Sequence, residues 1–164
     1  MRWYSASTLA EESSAKTELS DGWGVTGGLR AGELIVSDGS STLSTVDARS
    51  LRTLARLPVT DGGRAVPRLN ELELIEGEVW ANVWLTDCVA RIDPTSGAVR
   101  GWVQLAGIRG ADAHGDVLNG IAWDAAGKRL LVTVRCGRGG AARAQPAVLT
   151  PPFPRASTGK SSST

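Results

Sequence analysis

Short extended segments recur along this chain at intervals of 46 to 49 residues. Thr45-Val46-Asp47 is matched by Arg91-Ile92-Asp93, and Asn70 is matched by Asn119. Repeats of roughly 40–50 residues are typical of β-propeller blades, in which each repeat is a small sheet that cannot bury its apolar face alone. The spacing therefore predicts an all-β chain built from stacked antiparallel sheets.

The clearest repeat covers residues 69–105. Its expected strands are 70–75, 78–84, 88–93 and 98–105, with turns at Glu76-Gly77 and Pro94-Thr95-Ser96-Gly97. A two-residue turn that contains glycine is typical of a β-hairpin, and proline followed by glycine marks a turn as well. Four short antiparallel strands in succession predict one blade of a propeller.

The second strand of this blade, residues 78–84, predicts two unlike faces. Because successive side chains of a strand point to opposite sides, Trp80, Asn82 and Trp84 share one face. Val79, Ala81 and Val83 share the other. We expect one apolar face and one aromatic and polar face.

The flanking sequence predicts one more complete unit and two partial ones. Asp21 to Val59 contains four strand-like runs, whereas the copy that begins at Val117 is expected to stop after a second strand at Cys136. Residues 1–20 suggest only a short partial unit. Propellers close with about 4–8 blades, so an incomplete ring leaves open edges, and we expect self-association through them.

Composition sets the limits of the globular part and of the functions available to it. Residues 137–164 are rich in glycine, alanine, proline and serine, which predicts a disordered low-complexity tail after a partial propeller at 1–136.

A net charge of +1 argues against binding to nucleic acid or to an acidic membrane surface. Two cysteines and one histidine favour neither a disulfide framework nor a zinc site, so no metal is expected. The first residues lack the apolar run of a signal peptide.

Six ordered motifs resemble the plant-type glutaminyl-peptide cyclotransferase family. They are Asp-Gly-Trp-Gly (21–24), Ser-Asp-Gly-Ser (37–40), Leu-Asn-Glu-Leu-Glu (69–73), Glu-Val-Trp-Ala-Asn-Val-Trp (78–84), Asp-Cys-Val-Ala-Arg-Ile-Asp (87–93) and Val-Leu-Asn-Gly-Ile-Ala-Trp-Asp (117–124). The resemblance covers roughly residues 4–135. It implies a five-bladed β-propeller with its site at one mouth of the central channel, of which this chain contains an incomplete part that lacks both ends.

The resemblance also implies a reaction and a set of site residues. Family members are acyltransferases that convert an N-terminal glutamine of a peptide or protein into pyroglutamate and release ammonia, without a cofactor. By motif, Trp23 and Trp84 are expected to bind substrate, and Asn70 is expected to be catalytic. The family further implies the secretory pathway or the extracellular space.

Two departures from the family pattern leave an alternative open. The family's Phe-Thr-(Glu or Gln)-Gly-Leu segment has no counterpart here. Where relatives have Val-Thr-Gly-Lys-Leu-Trp, this chain has Val-Thr-Val followed by Arg135, which is expected to keep the catalytic positive charge. The alternative is a catalytically inactive truncated propeller or a binding scaffold.

Several of the same residues also have purely structural interpretations. Asn70 and Asn119 are of a type that caps turns, and the carboxylates of Glu71 and Glu73 more commonly face solvent or an arginine. Three tryptophans are expected in the core rather than in a site: Trp80, Trp102 and Trp123. Three aspartates are expected in turns, with a structural cation as the lesser alternative: Asp21, Asp38 and Asp87.

Overall fold

The computed structural model describes residues 1–19, 21–108, 117–135 and 147–150 of the chain. Within these residues the regular structure is β, in antiparallel sheets joined by short turns. The strands are β1 (Arg2–Tyr4), β2 (Glu11–Ser14), β3 (Gly24–Gly27), β4 (Glu33–Ser37), β5 (Thr42–Asp47), β6 (Thr53–Pro58), β7 (Thr60–Asp61), β8 (Arg64–Ala65), β9 (Leu69–Ile75), β10 (Glu78–Val83), β11 (Cys88–Ile92), β12 (Val99–Gln104), β13 (Val117–Asp124), β14 (Arg129–Arg135) and β15 (Ala147–Leu149). No helix in these ranges has the length and apolarity to cross a membrane.

Two four-stranded sheets confirm the two complete units. The first blade has the order β3-β4-β5-β6, and the second blade has the order β9-β10-β11-β12, so neighbours in sequence are neighbours in the sheet. The turn between β9 and β10 consists of Glu76 and Gly77, both with positive φ (49° and 85°). This is the backbone that a two-residue hairpin turn requires, and it fixes Ile75 opposite Glu78.

The third unit contains one strand more than the sequence predicted. β13 and β14 form the expected hairpin, and β15 then pairs with β14 so that Leu130 lies opposite Leu149. The sequence analysis placed residues 147–149 in the tail, because three residues between glycine-, alanine- and proline-rich flanks are too few to show a strand period. The predicted disorder of the remaining tail falls on residues outside the described ranges, apart from Thr150. At the other end of the chain, β1 and β2 form a two-stranded sheet.

The second blade is buried on both faces. One apolar cluster, here called the first core, lies between the first and second blades and contains Val79, Ala81 and Val83 of β10. Another cluster, the second core, lies between the second blade and the third unit and contains Trp80. The alternation predicted for β10 is therefore correct, but the aromatic and polar face is buried as well. Asn82 on that face is only 1% exposed.

A bulge changes the direction of side chains along β9. Ala81 of β10 pairs with Leu72 and Val83 pairs with Leu69, so Asn70 and Glu71 together lie opposite the single residue Asn82. Regular alternation would place Leu69 and Leu72 on opposite faces, whereas both pack in the first core. The extra residue of a bulge produces this shift and reorients the neighbouring side chains.

The first strands of the three units approach one another. β9 contacts β3 on one side and β13 on the other. At Gly24 of β3 the approach is so close that a Cβ atom would lie 2.2 Å from the backbone oxygen of Asn70. The side chains at the start of these strands therefore meet at one end of the stack.

Candidate active site at the converging inner strands

A cavity of about 270 Å³ lies where the first strands converge. Five residues line it: Trp23, Asn70, Glu71, Trp84 and Asn119. They come from the segment before β3, from β9, from the end of β10 and from β13, which are far apart in sequence. The cavity is slightly smaller than the roughly 300–1,000 Å³ of sites for drug-sized ligands, so it suits a small group such as one side chain.

Two tryptophans form the aromatic wall of this cavity. The ring centroids of Trp23 and Trp84 are 5.4 Å apart with an angle of 82° between the ring planes, which is the favoured edge-to-face arrangement. The indole nitrogen of Trp23 donates to Asp21 Oδ2 at 2.8 Å. The ring of Trp23 also packs on Gly39, where a Cβ atom would lie 2.6 Å from it. These contacts hold the Trp23 ring in position before any ligand binds.

Two asparagines from neighbouring units meet across the cavity. Asn70 Nδ2 donates to Asn119 Oδ1 at 3.1 Å, and the backbone oxygen of Asn70 accepts a hydrogen bond from the buried Ser37 hydroxyl at 2.6 Å. A second bulge, between Leu118 and Ile121 of β13, positions Asn119 as the first bulge positions Asn70. The turn-capping interpretation is therefore wrong for both residues, because each lies inside a strand and bonds the other.

Two of the cavity residues, Asn119 and Glu71, were not placed in the site by the sequence interpretation, and Glu71 is the one that is titratable. It is half-buried, and within the described residues it has neither an ion pair nor a hydrogen-bond partner. Burial raises the pKa of its carboxyl above the ordinary value. No arginine pairs with Glu71 among the described residues, and its partly exposed side chain lines the cavity. Glu73 is different, because its carboxylate accepts the backbone N–H of Trp123 at 3.2 Å.

Glu71 also borders a second cavity, which shares Trp23 with the first. This space is about 410 Å³ and is lined by Met1, Thr17, Leu19, Gly22, Trp23, Gly24, Val25, Val36 and Glu71. Glu71 therefore lines both the small cavity and a larger one that residues of the N-terminal segment also line.

The remaining predicted residues lie elsewhere or are only partly described. Arg135 ends β14, and its backbone pairs with Val117. The side chain of Arg135 and the whole of His114 and Cys136 lie outside the described part of the chain, so the role of Arg135 stays a prediction. Cys88 is a free thiol that donates to Gln104 Oε1 at 2.8 Å.

The aspartates near the cavity have structural partners. Asp38 accepts the backbone N–H of Ser40 at 3.0 Å, as a turn residue does, and Asp21 anchors the Trp23 indole. Across the ranges that the structure describes, no group of three histidine, cysteine, aspartate or glutamate residues is arranged to hold a metal ion. The residues that line the cavity offer amide donors, aromatic walls and one carboxyl group.

Comparisons with known proteins agree on one family. The profile of the family described as glutamine cyclotransferase matches residues 1–136. Glutaminyl-peptide cyclotransferase from Arabidopsis thaliana is 44% identical over 135 residues, which cover 79% of this chain and 42% of that protein. The crystal structure of Myxococcus xanthus glutaminyl cyclase matches with a TM-score of 0.72 at 28% identity, covering 80% of this chain and 58% of that one.

A more distant structure supports the fold alone. The WD40 domain of Neurospora crassa Pan2 matches with a TM-score of 0.54 at 16% identity, covering 86% of this chain and 40% of that chain. In each comparison with a named protein, the present chain spans less than two thirds of the relative's length.

Proposed function

Because this chain belongs to the glutamine cyclotransferase family, we propose that its cavity is the substrate pocket of a glutaminyl-peptide cyclotransferase. The substrate is a peptide or protein with glutamine at its N-terminus, and the products are the pyroglutamyl peptide and ammonia. The observation that carries this proposal is that Trp23, Asn70 and Trp84 line a single small cavity.

The reaction requires the glutamine to fold back on itself. Its α-amine attacks the carbon of its own side-chain amide, so the two groups must be held a short distance apart in a ring-like arrangement. The rigid, edge-to-face pair of Trp23 and Trp84 offers flat apolar surfaces against which such a ring fits. The same surfaces exclude water, which strengthens the polar interactions within the pocket.

The asparagine pair supplies hydrogen-bond donors for the charge that develops. As the amine attacks, the amide oxygen of the substrate becomes an oxyanion, and preorganised N–H groups stabilise it. Asn70 uses one N–H on Asn119 and has its second N–H for the substrate oxygen. We propose Arg135 as a further positive charge at the end of β14. The attacking amine needs little activation, because the pKa of an α-amino group is about 7.7–8.0.

A second candidate is a catalytically inactive propeller piece or binding scaffold. It is favoured by the arginine at position 135, where the family resemblance expects lysine. Arginine keeps its proton at any physiological pH and therefore cannot donate it during turnover. A pocket of this shape would then bind a peptide N-terminus without converting it.

Ammonia release from a glutaminyl peptide separates the two candidates. The purified 164-residue chain is incubated with a peptide that begins with glutamine, and ammonia and the pyroglutamyl product are quantified against spontaneous cyclisation without protein. The same peptide with an acetylated α-amine is the matched control, since it lacks the nucleophile. Turnover of the free peptide alone supports the enzyme. Binding of the free peptide by folded protein without ammonia release supports the scaffold and refutes the enzyme.

Self-association through the uncovered sides of the stack remains a prediction. Val25 is 51% exposed and Leu54 is 54% exposed, which provides apolar surface on the first blade.

A further inference from the structure

The cavity contains one titratable side chain that neither the sequence motif nor the asparagine pair explains. Glu71 shares the cavity with Trp23, Asn70, Trp84 and Asn119. It reaches this position because the β9 bulge places Asn70 and Glu71 together opposite Asn82. In a regular strand the adjacent side chains of Asn70 and Glu71 would point to opposite faces of the sheet. The bulge is therefore what allows both to line one cavity.

The surroundings of Glu71 suit a proton carrier better than a structural ion pair. Among the described residues no cation contacts its carboxyl group, and burial alone raises its pKa. A raised pKa brings a carboxylic acid closer to the pH at which it both accepts and returns a proton efficiently. Glu71 is partly exposed and also lines the second cavity beside Trp23, so it can exchange protons with solvent between turnovers.

Charged groups on the elements around β9 are engaged elsewhere. β3 itself carries no ionisable side chain, and Asp21 before it is bound by the Trp23 indole. Three carboxylates lie at the far ends of the neighbouring strands and have cationic partners: Glu33 of β4 with Arg30, Glu78 of β10 with Arg91, and Asp124 of β13 with Arg129. The Met1 ammonium group borders the second cavity and donates to the Ala15 oxygen at 2.8 Å. Arg68 precedes β9 and is exposed.

We propose that Glu71 is the catalytic acid and base that carries the proton from the attacking α-amine to the departing ammonia. This assignment rests on the proposed cyclotransferase function. As the bond from the amine nitrogen to the amide carbon forms, the Glu71 carboxylate accepts one proton from that nitrogen. The protonated Glu71 then gives the proton to the amide nitrogen as the bond between carbon and that nitrogen breaks. Ammonia leaves, the lactam remains, and the carboxylate is restored with no net change in charge.

Steady-state kinetics of Glu71→Gln test the assignment. General acid–base groups contribute roughly 100- to 10,000-fold to rate, so we expect kcat to fall at least about 100-fold with little change in KM. Glu71→Asp keeps a carboxyl group but shortens the side chain by one methylene, so this variant should retain part of the activity. Glu73→Gln is the matched control on the same strand, since glutamine still accepts the Trp123 N–H, and it should turn over like the wild type.

The pH profile distinguishes proton transfer from a positioning role. Below the pKa of the substrate α-amine, about 7.7–8.0, kcat/KM should fall in every variant because the nucleophile is protonated. In the wild type, protonation of Glu71 should make the acid limb steeper. Glu71→Gln should keep the limb of the amine and lose the additional steepness. An active wild type with unchanged kcat in Glu71→Gln, or with an increase in KM alone, would overturn the assignment and leave the proposed function intact. A wild type that releases no ammonia would overturn the proposed function and this inference with it.

A stability measurement tests the environment of Glu71 independently of turnover. Because the folded state raises the pKa of Glu71, the ionised carboxylate destabilises the fold above that pKa, and the effect disappears below the unfolded value of about 4.3. Glu71→Gln should therefore have a higher Tm than the wild type near pH 8, and the difference should shrink near pH 4. A Tm difference that does not depend on pH would contradict the partly buried, unpaired carboxyl on which the assignment depends.

Discussion

At the scale of single residues, Trp84 and Trp102 provide a test that separates binding from stability. Trp84 walls the small cavity, whereas Trp102 packs against the first core and donates its indole N–H to Asp61 Oδ2 at 3.0 Å. Trp84→Ala should lower kcat/KM by roughly 10- to 100-fold, because the substrate is no longer held in its reactive arrangement. Trp102→Ala should lower the free energy of unfolding by about 2–4 kcal/mol, since Trp102 is only partly buried.

Enzyme kinetics and urea unfolding of both variants give the answer. Equal losses of stability in the two variants, with kcat/KM unchanged in Trp84→Ala, would contradict the assignment of Trp84 to the pocket.

The sequence was sufficient for three cavity residues and insufficient for Asn119 and Glu71, although both of these also lie within the family motifs. Trp23, Asn70 and Trp84 were identified from the family motifs, and the structure places all three in one cavity. Glu71 was assigned with Glu73 to an ordinary strand face, because alternation gives no sign of a bulge. The sequence did contain a sign of the bulge. Leu69 and Leu72 are both apolar but lie three residues apart, so a regular strand would put them on opposite faces. An odd spacing of buried residues in a strand indicates a bulge.

At the scale of strands and turns, two glycines separate backbone strain from a steric clash. Gly77 and Gly97 both have positive φ, 85° and 73°. A Cβ atom at Gly77 would meet nothing within 4 Å, whereas at Gly97 it would lie 2.0 Å from the Pro58 backbone oxygen. Gly77→Ala should cost about 1–2 kcal/mol from backbone conformation alone. Gly97→Ala should cost a further ~1–3 kcal/mol, because the turn must move away from the end of β6.

Urea unfolding of both variants measures the difference. Similar losses would mean that the turn before β12 does not pack tightly on the end of β6. That result would contradict the contact seen here, which includes a hydrogen bond from Thr60 N to the Gly97 oxygen at 3.0 Å.

Strands with their own turn signals were predictable, and the one without such signals was not. The β9–β10 hairpin followed from Glu76-Gly77, and the structure gives both residues the positive φ that this turn needs. β15 consists of three residues and is held by pairing with β14, so its existence depends on a neighbour in the sheet rather than on its own pattern. Local sequence does not contain that information.

At the scale of the whole molecule, the second blade links the other two units. Its β10 contributes Val79, Ala81 and Val83 to the first core and Trp80 to the second. The repeat period predicted the stack of sheets. It did not predict that the polar face of β10 is also buried, because burial of that face depends on the third unit packing against it.

This sharing of β10 predicts that the described blades unfold as one cooperative unit. Leu130 of β14 is fully buried in the second core, and Leu130→Ala should cost about 2–5 kcal/mol. If unfolding is cooperative, the slowest-exchanging amides of β5, in the first blade, should exchange faster by the factor that corresponds to this loss. Leu54→Ala on β6, where the side chain is 54% exposed, is the control and should change exchange little. Faster exchange confined to β13 and β14 would instead mean that the third unit opens alone, and that Asn119 leaves the cavity without the rest of the site.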